Sequence, residues 1–260
     1  SSDIDLSVTG DSFYLGKVLS DKLNGRYVEL DKQRGIYRII FNERSKILQL
    51  DISRTDRNIE HDTLKRDFTV NAIVLHSKNI SVDDSGPYFS IKDLYDPCNG
   101  VEDINSNTIK ATHENIFVED PIRLLRAVRI SSQFNFVIDS TTKSLIKNNS
   151  HVLSQSSFER IREEFLKILS HDNSAEYIRF LDKLGLLDEI IQDFSNSKGV
   201  KQPKQHYWDV FNHQVECVGW FEKILEPDGI ESSYISKYIP TFQGIDDYFN
   251  KPYSDGQTRK

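Results

Sequence analysis

The spacing of apolar residues changes character once along the 260-residue chain, near residue 113, and this limits the fold more than any other feature. Before that point, short β-type runs alternate with helical ones. Asp3–Val8 alternates acid and apolar residues, as a strand with one buried face does. Asp11 stands where it can cap a helix carrying Leu15, Val18, Leu19 and Leu23, with Gly25 as its stop. Residues 27–30, 36–41 and 47–52 read as strands, with a hairpin turn at 42–45. Residues 68–75 begin near a helix, and 88–95 read as one more strand, ending at the turn Asp96-Pro97-Cys98-Asn99-Gly100. Past residue 113 the strand signals fade. Residues 118–134 carry Ile122, Leu125, Val128 and Phe134 on one side, and Phe158–Leu169 carries Phe158, Ile161, Phe165 and Ile168 at helical spacing. Residues 175–187 and Val210–Leu225 read as two further amphipathic helices. The polar stretch 195–204, with Gly199 and Pro203, is the best linker. The expected class is α+β: a head at 1–112, a helical neck and body at 113–194, and the start of another helical domain at 205–260.

Charge excludes one class of function and leaves another open. With 33 Lys+Arg against 40 Asp+Glu, the net charge of −7 does not suit a uniformly cationic coat for nucleic acid, but it allows a local basic groove. No run approaches the ~20 apolar residues that span a bilayer, and no secretory signal opens the chain. Cys98 and Cys217 lie far apart, too few for a disulfide framework, and fit a reducing, cytoplasmic compartment. The chain has no methionine, opens on Ser1-Ser2 and closes on a polar run at 254–260, so it reads as a piece of a longer protein cut at both ends.

Four clusters carry chemistry. Asp3 and Asp5, two apart on a strand, project from one face, and their repulsion is relieved by a hard, oxygen-seeking cation such as Mg²⁺. The alternative is a solvated edge strand. Asp51 stands among Leu48, Leu50 and Ile52, where an acid is costly unless it is paired, metal-bound or turned outward. The run Lys65-Arg66-Asp67, followed by Asn71, can hold a triphosphate and a ribose; the alternative is a helix entry with Asp67 as its cap. In Glu119-Asp120-Pro121-Ile122-Arg123, Pro121 suits a first helical turn. Asp120 and Arg123, three apart, present an acceptor and donors to a base edge, or form a simple ion pair. Arg126 and Arg129 continue the basic row.

The order and wording of these clusters resemble the bacterial-type (class II) tRNA nucleotidyltransferase and poly(A) polymerase family. Asp3-Ile4-Asp5-Leu6 resembles its metal-binding strand, and Arg66-Asp67-Phe68-Thr69-Val70-Asn71-Ala72 its "RRDFTxNA" motif. The loop from Asp96-Pro97 through Gly100 to Glu102-Asp103 resembles "DPxxGxxDL". Glu119 through Arg129 resembles "EDPxRxLRAxR", and Glu159-Arg160-Ile161-Arg162-Glu163-Glu164 resembles the "ERIxxE" helix of the neck. The resemblance implies a polymerase-β-like nucleotidyltransferase head, an all-helical neck and body, and the start of an HD-like domain. It implies Asp3 and Asp5 as ligands of catalytic Mg²⁺, with Asp51 where related enzymes often place a third catalytic carboxylate. Arg66, Asp67 and Asn71 are then nucleotide contacts, as are Arg126 and Arg129 on the motif helix. Asp120 and Arg123 read the base of CTP or ATP, and Arg160 and Arg162 bind RNA. The implied partner is tRNA, with no membrane and an undetermined oligomeric state.

Two departures stand beside the resemblance. A Gly-Gly-x-Val-Arg-Asp element precedes the metal acids in the family, and Ser1-Ser2 stands where it should have just ended. The stretch from His206 to His213 resembles the opening of an HD domain but lacks the paired His-Asp, and residues 248–252 resemble the segment just ahead of that pair. His213 is then one metal ligand or an ordinary helix histidine. Three functions follow: CCA addition (or its CC- or A-adding part), poly(A) synthesis from ATP, or an inactive RNA- or nucleotide-binding fragment. The HD-like opening and the lack of a strongly basic C-terminal region favour the first.

Overall fold

A computed structural model describes residues 3–43, 46–55, 59–204, 207–225 and 251. The class is α+β, as the periodicity implies, and the chain forms two compact units. One comprises Ser1–Arg66 and Ala72–Cys98, the other Asp67–Asn71 and Asn99–Lys260.

The first unit is built on a mixed sheet. Strands β1 (Asp3–Val8), β2 (Arg26–Asp31), β3 (Ile36–Glu43) and β4 (Lys46–Arg54) lie in the order β1-β4-β3-β2. β1 runs parallel to β4, and the other neighbours are antiparallel. Alternation sorts the two faces. Leu50, Ile52 and Ile39 are buried, with Leu6, Val8 and the helix residues Leu15 and Leu19 packed on them. That helix, α1 (Ser12–Lys22), starts where the sequence places it, with the Asp11 carboxylate accepting the Tyr14 N–H. A Cβ on Gly16 would lie 2.8 Å from the Tyr27 ring, so glycine is what lets α1 approach β2. The opposite face of the sheet is polar and carries Asp5, Ser7, Asp51 and Ser53. Helix α2 (Ile59–Leu64) follows β4. The unit is completed by two short pairs: β5 (Val74–Leu75) with β8 (Leu94–Tyr95), and β6 (Ser81–Asp83) with β7 (Gly86–Tyr88).

The second unit is helical. It contains α3 (Gly100–Asn105), α4 (Ile116–Glu119), α5 (Arg123–Phe134), α6 (Ser140–Asn149), α7 (Phe158–Leu169), α8 (Ser174–Lys183), α9 (Leu187–Ile190) and α10 (Val210–Leu225). A short parallel pair joins β9 (Thr108–Ile109) to β10 (Val137–Ile138). Phe117, Leu124, Leu125, Val128, Ile146, Ile161, Ile168, Leu181 and Val215 belong to one continuous core. Phe68 belongs to it too, because residues 67–71 lie along 110–112. Phe68 bridges to Ala111, the Thr69 N–H donates to the Lys110 carbonyl at 3.0 Å, and the Thr112 N–H donates to the Asp67 carbonyl at 3.2 Å.

Several local expectations are revised. Residues 118–134 do not form one helix: α4 ends at Glu119 and α5 begins at Arg123, because Asp120, preceding Pro121, is extended (φ −147°, ψ 98°). Residues 88–95 are not one strand. The Ser90 hydroxyl and the Asp93 carboxylate form a capping box that turns the chain between β7 and β8. Phe158 and Phe134, expected on apolar faces, are exposed. The stretch 195–204 does not release α10 from the unit. The Asp209 carboxylate accepts the Gly199 and Asn212 N–H groups, which hold it below the usual carboxylate range. α10 lies against α8, where Arg179 meets Asn212 at 2.9 Å and Glu216 at 2.5 Å. Residues 44 and 45 of the expected turn, His206, and the stretch 248–252 apart from Lys251 lie outside the described residues, as does the side chain of Asp3.

Candidate active site

The polar face of the sheet is where the first unit gathers charge. Register places Asp5 beside Asp51, and Asp51 beside Arg38, in one row across β1, β4 and β3. The Arg38 guanidinium grips Asp51 with two bonds of 2.7 Å, from Nε and Nη2. Asp51 therefore resolves its cost by two of its three routes, turning away from the apolar face and pairing. One row along, the Ser7 and Ser53 hydroxyls lie 3.3 Å apart, and Ser7 also donates to Asp62 at 3.4 Å. A cleft of about 360 Å³ opens here, lined by Asp5, Ile36, Asp51, Ser53, Asp62, Lys65 and Arg66. Arg66 reaches the cleft from the turn after α2. Asp3 lies on the same strand, in register with Gln49.

Carboxylate oxygens beside two cationic side chains suit a divalent cation that takes one or two protein oxygens and completes its shell with water and phosphate. Among the described residues, no group of three or more His, Cys, Asp or Glu side chains stands ready to hold a metal. His213 lies 3.7 Å from the Cys217 sulfur on α10, and both cysteines are free thiols.

Asp67 follows Arg66 in sequence and does something different. Its side chain is only 7% exposed. Oδ1 accepts the Phe68 N–H and the Asn71 side-chain amide, both at 2.9 Å, and Oδ2 accepts Arg126 Nε at 2.8 Å, with Nη2 of the same guanidinium 2.7 Å away. Three donors and a facing guanidinium thus serve one carboxylate. Burial pushes this carboxyl up, but the Arg126 charge and the three bonds outweigh burial and hold it below the usual range. Asp67 does not cap a helix, contrary to the bland sequence reading. It ties residues 67–71 to α5.

The remaining motif residues pair across the second unit. Asp120 sits between α4 and Pro121, not on one helix face with Arg123. Its carboxylate receives both Nη groups of Arg160 on α7, at 3.0 and 2.9 Å. Arg123, the first residue of α5, lies 3.5 Å from Glu119 and donates to the Ile116 carbonyl at 3.4 Å. Arg129 reaches the buried Glu164 of α7 at 2.6 Å. Arg162 is exposed. Sequence reasoning missed Asp62 and Ser53 in the cleft and Arg38 as the partner of Asp51, and it missed the pairings of Arg160 with Asp120 and Glu164 with Arg129. The only sequence signal for the last two is that Arg160 and Glu164 stand i, i+4 on one helix.

A family model described as "Poly A polymerase head domain" matches residues 1–110, and one described as "Probable RNA and SrmB- binding site of polymerase A" matches 135–197. The chain is 28% identical over 207 residues to an A-adding tRNA nucleotidyltransferase of Deinococcus radiodurans, covering 78% of this chain and 44% of that one. It is 39% identical over 152 residues to a CCA-adding enzyme of Lactobacillus helveticus, covering 56% of this chain and 34% of that one. The chain thus spans less than half the length of either relative. In fold it matches a tRNA nucleotidyltransferase solved with a primer tRNA and an incoming ATP analog, with a TM-score of 0.64 at 22% identity, over 93% of this chain and 63% of that one. It also matches a Thermotoga maritima CCA-adding enzyme solved with tRNA, with a TM-score of 0.63 at 23% identity, over 98% of this chain and 55% of that one. Across its head and the helices that follow, with its motifs in order, the chain is similar to the tRNA nucleotidyltransferase and poly(A) polymerase family.

Proposed function

We propose that this chain carries the catalytic head and neck of a template-independent tRNA nucleotidyltransferase, which adds CCA, or part of it, to tRNA 3′ ends from CTP and ATP in the cytoplasm. The observation that carries the reading is the cleft where Asp5, Asp51 and Asp62 stand beside Lys65 and Arg66. That combination suits a nucleoside triphosphate with its cation. The reaction is in-line: the RNA 3′-hydroxyl forms a bond to the α-phosphorus, the bond to the β-phosphate bridge breaks, and pyrophosphate leaves. Asp3 and Asp5 are the carboxylates for Mg²⁺, which, when bound, neutralises phosphate charge and lowers the cost of deprotonating the hydroxyl. Asp51, gripped by Arg38, contributes negative field to the cleft. Lys65 and Arg66 bind the triphosphate. Asp67, Asn71, Arg126 and Arg129 act by position, since their polar groups serve one another and Glu164. Asp120 accepts from the exocyclic amino group of cytosine or adenine, and Arg123 donates to the neighbouring ring nitrogen. Contacts to tRNA are mainly with phosphate, and binding weakens as salt rises.

The test is incorporation of labelled CTP or ATP with Mg²⁺ into tRNA transcripts lacking CCA, CA or A, and into an unstructured RNA. The expected result is addition confined to tRNA that stops when CCA is complete, and its loss in Asp3→Ala/Asp5→Ala. Products of C alone or A alone would mark a specialist within the same reading. Long A-tracts on any RNA would replace the reading with poly(A) synthesis. Nucleotide or tRNA binding without incorporation would leave a binding module.

A further inference from the structure

Asp120 is the one base-reading candidate that no helix holds. It is extended, between the end of α4 and Pro121, outside either helix. What fixes it is Arg160, forty residues on in sequence, whose two Nη groups meet the two carboxylate oxygens at 3.0 and 2.9 Å. A fork-to-fork pair sets the plane of a carboxylate, which a single contact cannot do. Each oxygen keeps a second lone pair, so Asp120 remains an acceptor while held. Arg160 is itself well placed to act as a clamp. It lies in the first turn of α7, where the Ser157 hydroxyl accepts the Arg160 N–H, and α7 is tied to α5 through Glu164 and Arg129.

We propose that Arg160 is a positioning residue for base selection: by holding the Asp120 carboxylate in one plane, it makes the site accept the amino-bearing bases cytosine and adenine and reject the keto-bearing uracil and guanine. This rests on the reading of Asp120 as the base acceptor. The physical reason is donor–acceptor complementarity. A fixed, ionised carboxylate can only accept, so a keto oxygen presented to it meets a lone pair. The inference also reassigns Arg160. Two of its donors are committed to Asp120, so the exposed Arg162 is the better candidate for touching RNA phosphate.

The experiment measures binding of CTP, UTP, ATP and GTP with Mg²⁺, and separately of tRNA, by the unmodified chain and by Arg160→Ala, Arg160→Lys and Arg162→Ala. Preference for CTP over UTP and for ATP over GTP should fall about tenfold in Arg160→Ala, with tRNA affinity unchanged. Arg160→Lys, which keeps the charge but lacks the fork, should recover only part of the preference. Arg162→Ala should weaken tRNA and leave the preference alone. Full preference in Arg160→Ala together with weakened tRNA binding would overturn the proposal and restore Arg160 as an RNA contact. If the alanine variant does not fold, undiminished preference in the lysine variant overturns it equally. An unmodified chain with no preference at all would instead sink the reading of Asp120 beneath it.

Discussion

A carboxylate as enclosed as Asp67 is tolerable only because three N–H groups and the Arg126 charge face it, and this makes it a sensor of acid. Its pKa is lowered in the folded chain, so the unfolded chain binds the proton more readily. The stabilisation is complete above the unfolded value, near pH 4, and is lost as pH falls through the lower folded value. Asp67→Asn should cost about 3 kcal/mol at neutral pH by leaving Arg126 without its counter-charge. Its urea midpoint should also fall less between pH 5 and pH 3 than that of the unmodified chain; an identical acid response in both would remove Asp67 from the account. The motif residues were legible in the sequence because their order is distinctive, and Asp5, Asp51 and Arg66 do line one cleft. Their partners were not legible. Arg38 faces Asp51 only through the β3–β4 register, and Arg160 meets Asp120 only after two helices pack, neither of which leaves a local pattern. Asp67, a nucleotide contact by resemblance, has its acceptors filled by residues that the sequence places up to 59 positions away.

Elements here are punctuated by asparagine as much as by glycine. Asn24, Asn99, Asn107, Asn135 and Asn173 all have positive φ, the left-handed conformation in which most side chains are strained. Asn135 ends α5 at φ 54°, and its N–H donates to the Ser131 carbonyl. Asn135→Ala should therefore cost about 1 kcal/mol, while Asn135→Gly should be neutral within about 0.5 kcal/mol. Equal losses in both, measured by urea unfolding, would mean that the asparagine side chain matters for another reason. Helix starts were easier to read, since Asp11 caps α1 as its sequence position implies, and Ser157 caps α7. The break at Asp120 was harder. Apolar spacing runs through it, and only the effect of Pro121 on the residue before it gives the break away.

At the scale of the whole molecule, the two units differ in how much they bury. Among the described residues, the first unit's buried hydrophobics are Tyr37, Ile39, Leu50, Ile52 and Ala72, whereas the second unit's core extends from Phe68 to Val215. Burial of apolar surface is the main stabilising term, so the first unit should unfold at lower denaturant. The chain's two tryptophans, Trp208 and Trp220, both belong to the second unit. Tryptophan fluorescence should then report a later urea transition than the far-UV circular dichroism change that includes the sheet; coincident transitions would contradict this. The division into units was only partly legible, because residues 67–71 sit in sequence inside one unit and in space inside the other. That interleaving has a consequence in time. A chain emerging from a ribosome at roughly 5–20 residues per second makes Arg126 some 3–12 s after Asp67. Until then, Phe68 lacks the core it will occupy and Asp67 lacks its counter-charge, so these five residues are the stretch most in need of shelter while the rest of the molecule is still being made.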